Sequence, residues 1–522
     1  MPTPPQILVA EPLGNEGLEL LQQKAHVDVR LKLSADELKA LVPSYHALIV
    51  RSGVKVTEAL LQAGQNLVVV GRAGVGVDNI DVPAATRRGI TVVNAPTTNI
   101  VAAAEHTVAL MYALARKIPQ ADSSLRARQW QREKFVGVEL VGKQLGLVGL
   151  GRVGSEVARR AVGLGMEVVA FDPYVSAERA QAMQVKLVSL DELLATSDFV
   201  SLHAPVTRET KKLIGAREFE LMKPGARLLN VARGALLDEG ALLAALDAGR
   251  LAGAALDVFE HEPPDDERLR QDPRVVITPH IGGSTQESQV RVGIEIAGEV
   301  LAVLEGRPAR FAVNAPLVPP SLAPQLPPHI ELAERLGRFY IQWVGGPLDA
   351  IEIEYAGTLA DEETAVLTAA VIKGLLEPIH EDRVNLVNAQ LVAQMHGLRV
   401  SERKTHGAAR FENLISVRGA RRVTGTVLQN QPHIVHLDGY WVDFVPEGYL
   451  LLMRHRDRPG MIGRVGTSLG NADVNIASMQ VARDAPRGEA IMILNLDDPV
   501  PDPVFEKLRE ESDIEWVKVL QL

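Results

Sequence analysis

Cysteine is absent from this chain of 522 residues. Disulfide bonds, thiolate nucleophiles and cysteine-ligated metals are therefore excluded. We also expect no metal site in this chain. The chain also lacks a basic tract and any apolar run of membrane-spanning length, and its formal net charge is −10. We therefore expect neither nucleic acid nor a membrane as a partner. The N-terminal segment lacks the charged and apolar regions of a signal peptide, so a cytoplasmic location is expected.

The composition is that of a large globular protein. Hydrophobic residues make up 46% of the chain and charged residues 23%, which is ordinary for folded domains. A chain of this length has room for three or four domains. Short runs rich in valine and isoleucine alternate with amphipathic helical segments through residues 1–316. This alternation predicts an α/β fold with parallel sheets.

The stretch Leu145–Asp172 carries the most specific local pattern. A strand-like run enters a turn with Gly149, Gly151 and Gly154, a helix follows, and a second strand-like run ends at Asp172. The first glycine allows the tight turn, the second lets a pyrophosphate approach the backbone, and the third lets the helix pack on the strand. The terminal acid would repel a 2′-phosphate, which predicts NAD as the dinucleotide. A purely structural turn is the alternative.

Two strand-like runs near the N-terminus end in loops that contain arginine. Arg51 begins one loop, and Arg72 lies in the other, Gly71–Asp78. Ligands of parallel sheets bind at the carboxyl ends of the strands, so both arginines are predicted at one crevice, where they favour an anion. The alternative is that each is an exposed loop arginine.

Three further strand ends carry the candidates for acid–base chemistry. Removal of a hydride from a carbinol carbon needs a base for the hydroxyl proton, and His280 suits neutral pH. A carboxylate such as Glu262 beside it would orient the ring and favour the imidazolium. Arg233 would grip a substrate carboxylate with two hydrogen bonds. Taken singly, they are equally well a loop histidine, a solvated acid and a structural ion-pair partner.

The motifs GLGRVG, NVARG, ALDVFEHEP and TPHIGGST occur in this order in the N-terminal part. With these motifs, residues 1–316 resemble the D-isomer-specific 2-hydroxyacid dehydrogenases. The resemblance implies that His280 is the acid/base, Glu262 its partner and Arg233 the substrate clamp. It also implies cofactor contacts from the turn and strand-end residues Val75, Gly149, Gly151, Arg152, Val153, Gly154, Asp172, Ala204, Val231, Ala232, Arg233, Asp257, His280, Ile281, Gly282 and Gly283.

Within that family, the segments RSG at Arg51, GRAGVGVDNID and NAPTTN, together with a long C-terminal extension, resemble the members that act on 3-phosphoglycerate. The resemblance implies its oxidation to 3-phosphohydroxypyruvate with NAD, the first step of serine biosynthesis. The implied substrate contacts are Arg51, Ser52, Arg72, Gly76 and Arg132. The alternatives are another D-2-hydroxyacid dehydrogenase, acting on glyoxylate, lactate or formate, and a dinucleotide-sensing protein with little turnover.

The C-terminal segment 448–522 has the order βαββαβ, which is typical of a ferredoxin-like fold. Its motifs HRDRPGMIGRVG and NADVNIASM resemble those of an ACT domain. That resemblance implies serine as an inhibitory effector, bound by His455, Asp457 and Asn475. Residues 317–447 resemble the intervening, allosteric substrate-binding domain of such enzymes, in which the pair Arg421-Arg422 would hold an anion. A solvated strand end is the alternative for that pair.

The predicted architecture is therefore a Rossmann-like domain, 98–287, inserted in a flavodoxin-like substrate domain, 1–97 and 288–316. An α/β intervening domain, 317–447, and the ACT domain, 448–522, follow, with a proline-rich linker at Ala315–Pro328. Trp130 is either a core residue or an anchor for a second subunit. We expect a homo-oligomer, a dimer through the NAD domain and a tetramer overall.

Overall fold

The computed structural model describes residues 4–316, 326–380, 383–408 and 410–522. The chain forms two compact units. One consists of the residues up to Leu13 with Gly17–Asn94 and Ile296–Leu522, and the other of Gly14–Glu16 with Ala95–Glu295. In the described part of the chain, no helix is long and apolar enough to span a membrane.

The N-terminal sheet is parallel, with the strand order β2-β1-β3-β4-β5. This is the predicted flavodoxin-like order. Its strands are β1 (Gln6–Val9), β2 (His26–Val29), β3 (Ala47–Val50), β4 (Val69–Arg72) and β5 (Thr91–Asn94). Its helices are α1 (Asn15–Gln22), α2 (Ala35–Leu41), α3 (Glu58–Ala63) and α4 (Val82–Arg87), with a 3-10 helix at Val42–Ser44. The sequence pattern missed β2, because this edge strand buries none of its four residues.

The second sheet has seven parallel strands in the order β12-β11-β10-β9-β6-β7-β8, the predicted Rossmann-like arrangement. Its strands are β6 (Gln144–Val148), β7 (Glu167–Phe171), β8 (Lys186–Leu187), β9 (Phe199–Leu202), β10 (Ala226–Asn230), β11 (Leu251–Leu256) and β12 (Val275–Ile277). The helices of this part of the chain are α5 (Ile100–Arg116), α6 (Ile118–Arg126), α7 (Arg152–Gly163), α8 (Ala177–Ala182), α9 (Leu190–Thr196), α10 (Ala216–Leu221), α11 (Glu239–Asp247), α12 (Glu267–Gln271) and α13 (Gln286–Leu304), with 3-10 helices at Arg132–Phe135 and Gly234–Leu236.

One helix of this region differs from the sequence pattern, which predicts a single helix over Ala121–Lys134. α6 instead begins at Ile118 and ends at Arg126. Lys117, with φ 52°, reverses the chain before it, and Pro119 fits its first turn. Arg128, with φ 60°, ends the helical path, so Arg132 lies on a separate 3-10 turn.

The intervening domain pairs a six-stranded sheet, order β14-β13-β15-β16-β17-β18, with three helices. The strands are β13 (Ala350–Gly357), β14 (Arg399–Thr405), β15 (Asn413–Arg418), β16 (Arg422–Leu428), β17 (Gln431–Leu437) and β18 (Tyr440–Phe444). The helices are α14 (Leu326–Val344), α15 (Ala365–Leu376) and α16 (Ala389–Met395), with a 3-10 helix at Thr358–Asp361.

The predicted linker Ala315–Pro328 extends too far. Residues 317–325 of it lie outside the described residues, but α14 already begins at Leu326, so Pro327 and Pro328 occupy its first turn. Proline is tolerated there because the first N–H groups of a helix have no intrahelical acceptor. Ten of the nineteen residues of α14 are buried, which makes it the central helix of this domain.

The C-terminal domain has the predicted ferredoxin-like order. It consists of β19 (Tyr449–Arg456), α17 (Met461–Gly470), β20 (Ile476–Arg483), β21 (Glu489–Leu496), α18 (Asp502–Arg509) and β22 (Ile514–Gln521). The antiparallel sheet has the order β20-β21-β19-β22. One face of the sheet packs on α17 and α18 through Leu451, Met453 and their neighbours.

The other face of this sheet packs on the intervening domain. Its residues belong to the same buried cluster as the side chains of α14, and they are Leu450, Leu452, Ile491, Ile493 and Leu520. The Nζ of Lys518 donates to the Trp343 carbonyl (2.6 Å) at the end of α14. The two C-terminal domains therefore share one hydrophobic core.

Candidate active site

The glycine-rich turn lies between β6 and α7, and each of its glycines has a distinct environment. Gly149 has φ 100°, and a Cβ there would lie 2.7 Å from the His203 carbonyl oxygen. At Gly154 a Cβ would lie 2.2 Å from the Gly149 oxygen, so the helix packs directly on the turn. At Gly151 a Cβ would meet nothing within 4 Å. The open space above Gly151, at the N-terminus of α7, fits the pyrophosphate of a dinucleotide.

Asp172 follows β7, next to this turn. Its carboxylate accepts a hydrogen bond from the N–H of Leu150 (2.8 Å) and another from the N–H of Tyr174 (2.9 Å). The acid predicted to select the cofactor is therefore also part of the turn itself. A partly buried carboxylate in this place fits an adenosine ribose.

The other predicted cofactor residues of this unit lie at the same ends of the strands. Arg152 and Val153 begin α7, Ala204 follows β9, and Val231 and Ala232 follow β10. The amide of Asn230, which is fully buried, shapes the last of these loops. Its nitrogen donates to the Arg233 carbonyl (2.9 Å) and its oxygen accepts from the Ala232 N–H (3.1 Å). Val75, in contrast, belongs to the other unit, where its carbonyl accepts a hydrogen bond from the Asn94 amide (2.5 Å).

His203 borders the turn. The sequence pattern places it in a strand-end cluster with Ala204 but assigns it no role. Its Nε2 is hydrogen bonded to the buried hydroxyl of Ser201 (2.9 Å). Burial of the ring lowers the pKa of His203 to about 4, so this imidazole is neutral near pH 7. A histidine directly after a buried strand was the available signal.

His280 and Glu262 form a close pair. The Nδ1 of His280 is hydrogen bonded to Glu262 Oε2 (2.8 Å), and the other oxygen of Glu262 accepts from the Phe259 N–H (3.2 Å). Both side chains are more than a third exposed, with His280 at 46%. Because Nδ1 is engaged by the carboxylate, Nε2 is the ring nitrogen left to exchange a proton with a substrate.

Arg233 lies on the loop after β10. The backbone of this loop lies very close to that of the loop that carries Glu262. A Cβ on Gly234 would lie 1.9 Å from the Phe259 carbonyl carbon, so only glycine fits between the two chains. The guanidinium donates to the Ala232 carbonyl (2.7 Å). The neighbouring strand ends therefore place Arg233 and Glu262 on adjoining loops, as the sequence pattern predicts.

Asp257, after β11, is the centre of a buried network that the sequence pattern did not predict. Its carboxylate, 1% exposed, accepts hydrogen bonds from the Thr278 hydroxyl (2.6 Å) and from the N–H groups of Ile281 (2.8 Å) and Gly282 (2.7 Å). The Nε2 of His106, from α5, lies 3.3 Å from the same carboxylate. Burial raises the pKa of Asp257, but the hydrogen bonds, with that from His106 the largest, outweigh it and hold this pKa below its usual value.

The predicted substrate residues Arg51, Ser52, Arg72 and Gly76 belong to the N-terminal sheet. Val50 pairs with Arg72 across β3 and β4, so Arg51 lies at the same sheet end as Arg72. The carboxylate of Glu11 holds the Arg51 loop by accepting from the N–H groups of Arg51 (2.6 Å) and Gly53 (3.0 Å). Both arginines are partly buried, which is not the environment of ordinary exposed loop arginines.

Arg132 and Trp130 lie in the unit that contains the dinucleotide turn, on its surface. Arg132 is exposed on its 3-10 turn, and Trp130 is 77% exposed. Trp130 is therefore not a core residue of this chain. Of the two predictions, an anchor for a second subunit stays open.

The predicted effector residues lie in the C-terminal domain and already have partners. Asp457 accepts from the Arg483 guanidinium (2.8 Å) and the Arg487 N–H (3.0 Å), and the latter bond is the main cause of its lowered pKa. Asn475 donates to Asp497 (2.6 Å). His455 is buried, with its Nδ1 bonded to the Arg456 carbonyl (2.8 Å).

Arg421 of the intervening domain is not a solvated strand end. Its guanidinium is bonded to Asp438 (2.8 Å) and stacks on the rings of Trp343 and Trp516, at 4.8 and 5.1 Å from their centroids. It links the intervening domain to the C-terminal one.

Three family models match successive parts of the chain. Residues 108–282 match the NAD-binding domain of D-isomer specific 2-hydroxyacid dehydrogenases, 325–438 match the D-3-phosphoglycerate dehydrogenase intervening domain, and 449–513 match the ACT domain. The D-3-phosphoglycerate dehydrogenase of Synechocystis is 45% identical over 98% of this chain and 93% of its own length. That of Archaeoglobus fulgidus is 46% identical over 98% of both chains. This chain belongs to the D-3-phosphoglycerate dehydrogenase family.

Solved structures resemble part of the chain. The TT0316 protein of Thermus thermophilus is 37% identical with a TM-score of 0.55, covering 59% of this chain and 99% of its own. A D-lactate dehydrogenase of Escherichia coli is 26% identical with a TM-score of 0.54, covering 59% and 99%. As a member of the D-3-phosphoglycerate dehydrogenase family, the protein is an NAD-dependent oxidoreductase.

Proposed function

We propose that this protein oxidises 3-phospho-D-glycerate to 3-phosphohydroxypyruvate with NAD, the first step of serine biosynthesis. The hydrogen bond of 2.8 Å between His280 and Glu262 carries the assignment of the reaction class, because it leaves Nε2 available for acid–base chemistry. The full-length similarity to D-3-phosphoglycerate dehydrogenases supports the choice of substrate.

In this proposal His280 Nε2 takes the proton of the substrate hydroxyl. Glu262 holds the ring through Nδ1 and stabilises the imidazolium that results. Arg233 binds the substrate carboxylate and orients the carbinol carbon. Bound NAD supplies the hydride acceptor, and the residues proposed to hold it are those named at the strand ends, with Asp172 at the ribose.

We propose further that Arg51 and Arg72 bind the phosphate group. A phosphate dianion needs several cationic partners, and the two arginines share one end of a parallel sheet. Ser52 and Gly76 would add contacts from the same loops, and Arg132 would add a further cation, donated by a second subunit.

An NADH assay over a panel of acids tests the substrate assignment. D-glycerate is the matched control, because it differs from 3-phosphoglycerate only by the phosphate. D-lactate and glycolate, the 2-hydroxy acid that corresponds to glyoxylate, represent the other dehydrogenases. We expect kcat/KM for 3-phosphoglycerate to exceed that for D-glycerate by at least about 100-fold, since two charge-assisted contacts are lost. Equal values for the two acids would contradict the assignment.

We propose that the protein is a dimer through the domain containing the dinucleotide turn, and a tetramer overall. Apolar side chains are exposed in the region of α6 and the segments after it: Ile118 (51%), Leu125 (58%), Trp130 (77%), Val136 (73%) and Val141 (71%). Light scattering after gel filtration tests this. Trp130→Glu should lower the mass of the particle, whereas Tyr174→Glu, at another exposed aromatic, should not.

We propose that L-serine binds the ACT domain and inhibits the enzyme, with Asp457 holding its ammonium group, Asn475 its carboxylate and His455 lining the site. The intervening domain is proposed to span 317–447 and the ACT domain 448–522.

Calorimetry with L-serine, and with D-serine as the control, tests whether serine is the effector. Asp457→Ala and Asn475→Ala should abolish binding and inhibition while catalysis without serine is retained.

We place this enzyme in the cytoplasm, because its proposed phosphorylated substrate is a multiply charged anion that does not cross a bilayer unaided. Fractionation of cells of the source organism, with activity toward 3-phosphoglycerate as the marker, tests the location. Activity confined to the membrane or to an exported fraction would contradict it.

A further inference from the structure

We infer that His106, on helix α5, is a positioning residue for the reaction. It acts through Asp257 on the loop that carries His280. This inference rests on the proposed function, in which His280 carries out the acid–base step.

The loop adopts a conformation that needs support. His280 has φ 53°, in the left-handed region that residues other than glycine rarely adopt. Its own N–H donates to the backbone carbonyl of Asp257 (2.8 Å). The next two N–H groups, of Ile281 and Gly282, both donate to the Asp257 carboxylate. Three successive N–H groups of the loop therefore donate to one residue, and that of His280 is shared with the Thr278 carbonyl (3.0 Å). The two bonds to the Asp257 carboxylate hold the loop directly after His280.

The carboxylate of Asp257 is in turn held by two further side chains. Its oxygen Oδ1 accepts from the Thr278 hydroxyl at 2.6 Å and lies 3.3 Å from His106 Nε2. Nε2 also lies 3.1 Å from the Thr278 hydroxyl oxygen, so the three side chains form a closed triangle. A buried carboxylate has about four acceptor positions, and loss of a donor leaves one unsatisfied.

Packing leaves the loop little room to shift without moving the catalytic ring. A Cβ on Gly282 would lie 3.0 Å from Asp257 Oδ2 and 2.8 Å from a Val231 methyl group. His106 itself is 18% exposed, so it is held in place by its surroundings. If Asp257 rotates after loss of His106, the two N–H groups move with it and displace His280 from Glu262.

A histidine that only packs α5 against β12 would have a different signature. Its loss would lower thermal stability, and any loss of activity would follow the fraction of unfolded protein. A positioning residue changes the transition state while substrate and cofactor still bind, so kcat falls and both KM values stay close to those of the wild type.

The test compares His106→Leu, which removes the ring nitrogens, with His106→Gln, which keeps a polar amide near the place of Nε2. Glu105→Gln, at an exposed neighbour on the same helix, is the matched control. We expect His106→Leu to lower kcat by about 10- to 100-fold, the effect of a misplacement near 1 Å. Both KM values should change less than about threefold. His106→Gln should recover most of the loss, and Glu105→Gln should behave as the wild type.

The inference is overturned if soluble His106→Leu keeps the wild-type kcat, or if His106→Gln loses as much as His106→Leu. A second variant, Thr278→Val, removes the other side-chain donor to the same oxygen without changing the shape of the residue. The double variant should then lose less than the product of the two single losses, because both act through Asp257. Multiplicative losses would overturn the inference. If His106→Leu does not fold, Thr278→Val alone is decisive, because it should lower kcat while both KM values stay close to the wild type, and a wild-type kcat would overturn the inference.

The same experiment separates this inference from the proposed function. The ratio of variant to wild-type kcat is measured with the hydroxy acid that the wild type oxidises fastest. If that acid is not 3-phosphoglycerate, the proposed substrate is wrong, while the ratio still decides the role of His106.

Discussion

The carboxylate of Asp172 accepts a hydrogen bond of 2.8 Å from the N–H of Leu150. The acid at the end of β7 is thereby tied to the first part of the glycine-rich turn after β6. The side chain proposed to select the cofactor therefore also shapes the turn, so a substitution at Asp172 is expected to affect both.

Asp172→Ala should weaken the binding of NAD much more than the binding of NADP. The preference of the enzyme for NAD over NADP should therefore become smaller. We expect KM for NAD to rise about 10- to 100-fold, the effect of losing a hydrogen bond to a charged group. The melting temperature should also fall slightly, because the Leu150 N–H loses its acceptor. Glu178→Gln, at an exposed acid of α8, is the control. A wild-type enzyme that uses NAD and NADP equally well would contradict the ribose role.

His280→Ala should lower kcat by about 10²–10⁴-fold, the usual contribution of general acid–base catalysis. Glu262→Gln should lower it less, because the ring keeps a hydrogen-bond partner but loses the negative charge that stabilises the imidazolium. Glu260→Gln, two residues away on the same loop, should have little effect. Steady-state kinetics of the three variants measures this, and a Glu262→Gln enzyme with the wild-type kcat would mean that the pair is not coupled.

The stability of the dinucleotide-binding unit should depend on pH through His203. The folded protein holds the pKa of His203 at about 4 because the ring is buried, whereas the ordinary value is 6.5. As pH falls from about 6.5 toward 4, the unfolded chain binds a proton that the folded state does not, so stability is lost across this window.

The melting temperature of His203→Gln should therefore fall less between pH 7 and pH 5 than that of the wild type. Thermal unfolding at both values measures the difference, and His26→Gln, at an exposed histidine, serves as control. A wild-type pH dependence in His203→Gln would contradict the burial argument.

Arg51→Ala should raise KM for 3-phosphoglycerate by about 10- to 100-fold with little change in kcat, because a charge-assisted phosphate contact serves ground state and transition state alike. KM for NAD should not change. Arg30→Ala, at an exposed arginine paired with Asp28, is the matched control. A fall in kcat at constant KM would show that Arg51 acts on the chemical step.

Truncation should reveal the shared core of the two C-terminal domains. A chain ending after Asn314, which still carries the hydrogen bonds of Asn314 to β5 and α4, should stay folded, active and insensitive to serine. A chain ending after Val445 should aggregate, because it exposes the face of the intervening domain that packs on Leu450, Ile491 and Leu520. Gel filtration of both truncated chains checks this, and a soluble, monodisperse chain ending after Val445 would contradict the shared core.

Local patterns in the sequence were sufficient for the dinucleotide turn and for the order of the C-terminal domain. Gly149, Gly151 and Gly154 act on their own backbone and on the helix that follows directly, so the spacing alone predicts the turn. The sequence pattern also predicts strands over Ile476–Arg483 and Glu489–Leu496, and these are the bounds of β20 and β21. β21 contains the continuous apolar run Ala490–Leu494, whereas β20 alternates apolar and polar residues in its middle part.

The sequence pattern missed elements that are stabilised mainly by contacts with residues far away in the sequence. β14 carries several charged residues, and β17 contains Pro432. Neither strand has a continuous apolar pattern. α14 begins with two prolines, and only its packing in the shared core explains why it is a helix.

The sequence by itself determined the chemistry of this protein: the types of residue at the strand ends, the acid after β7, and the absence of cysteine. Tertiary structure alone decided which of these side chains meet. His106 lies 172 positions before Thr278, and Arg483 lies 26 after Asp457. No periodic pattern in the sequence connects such residues. Their contacts form only when α5 packs beside the strands and when β20 pairs in its sheet.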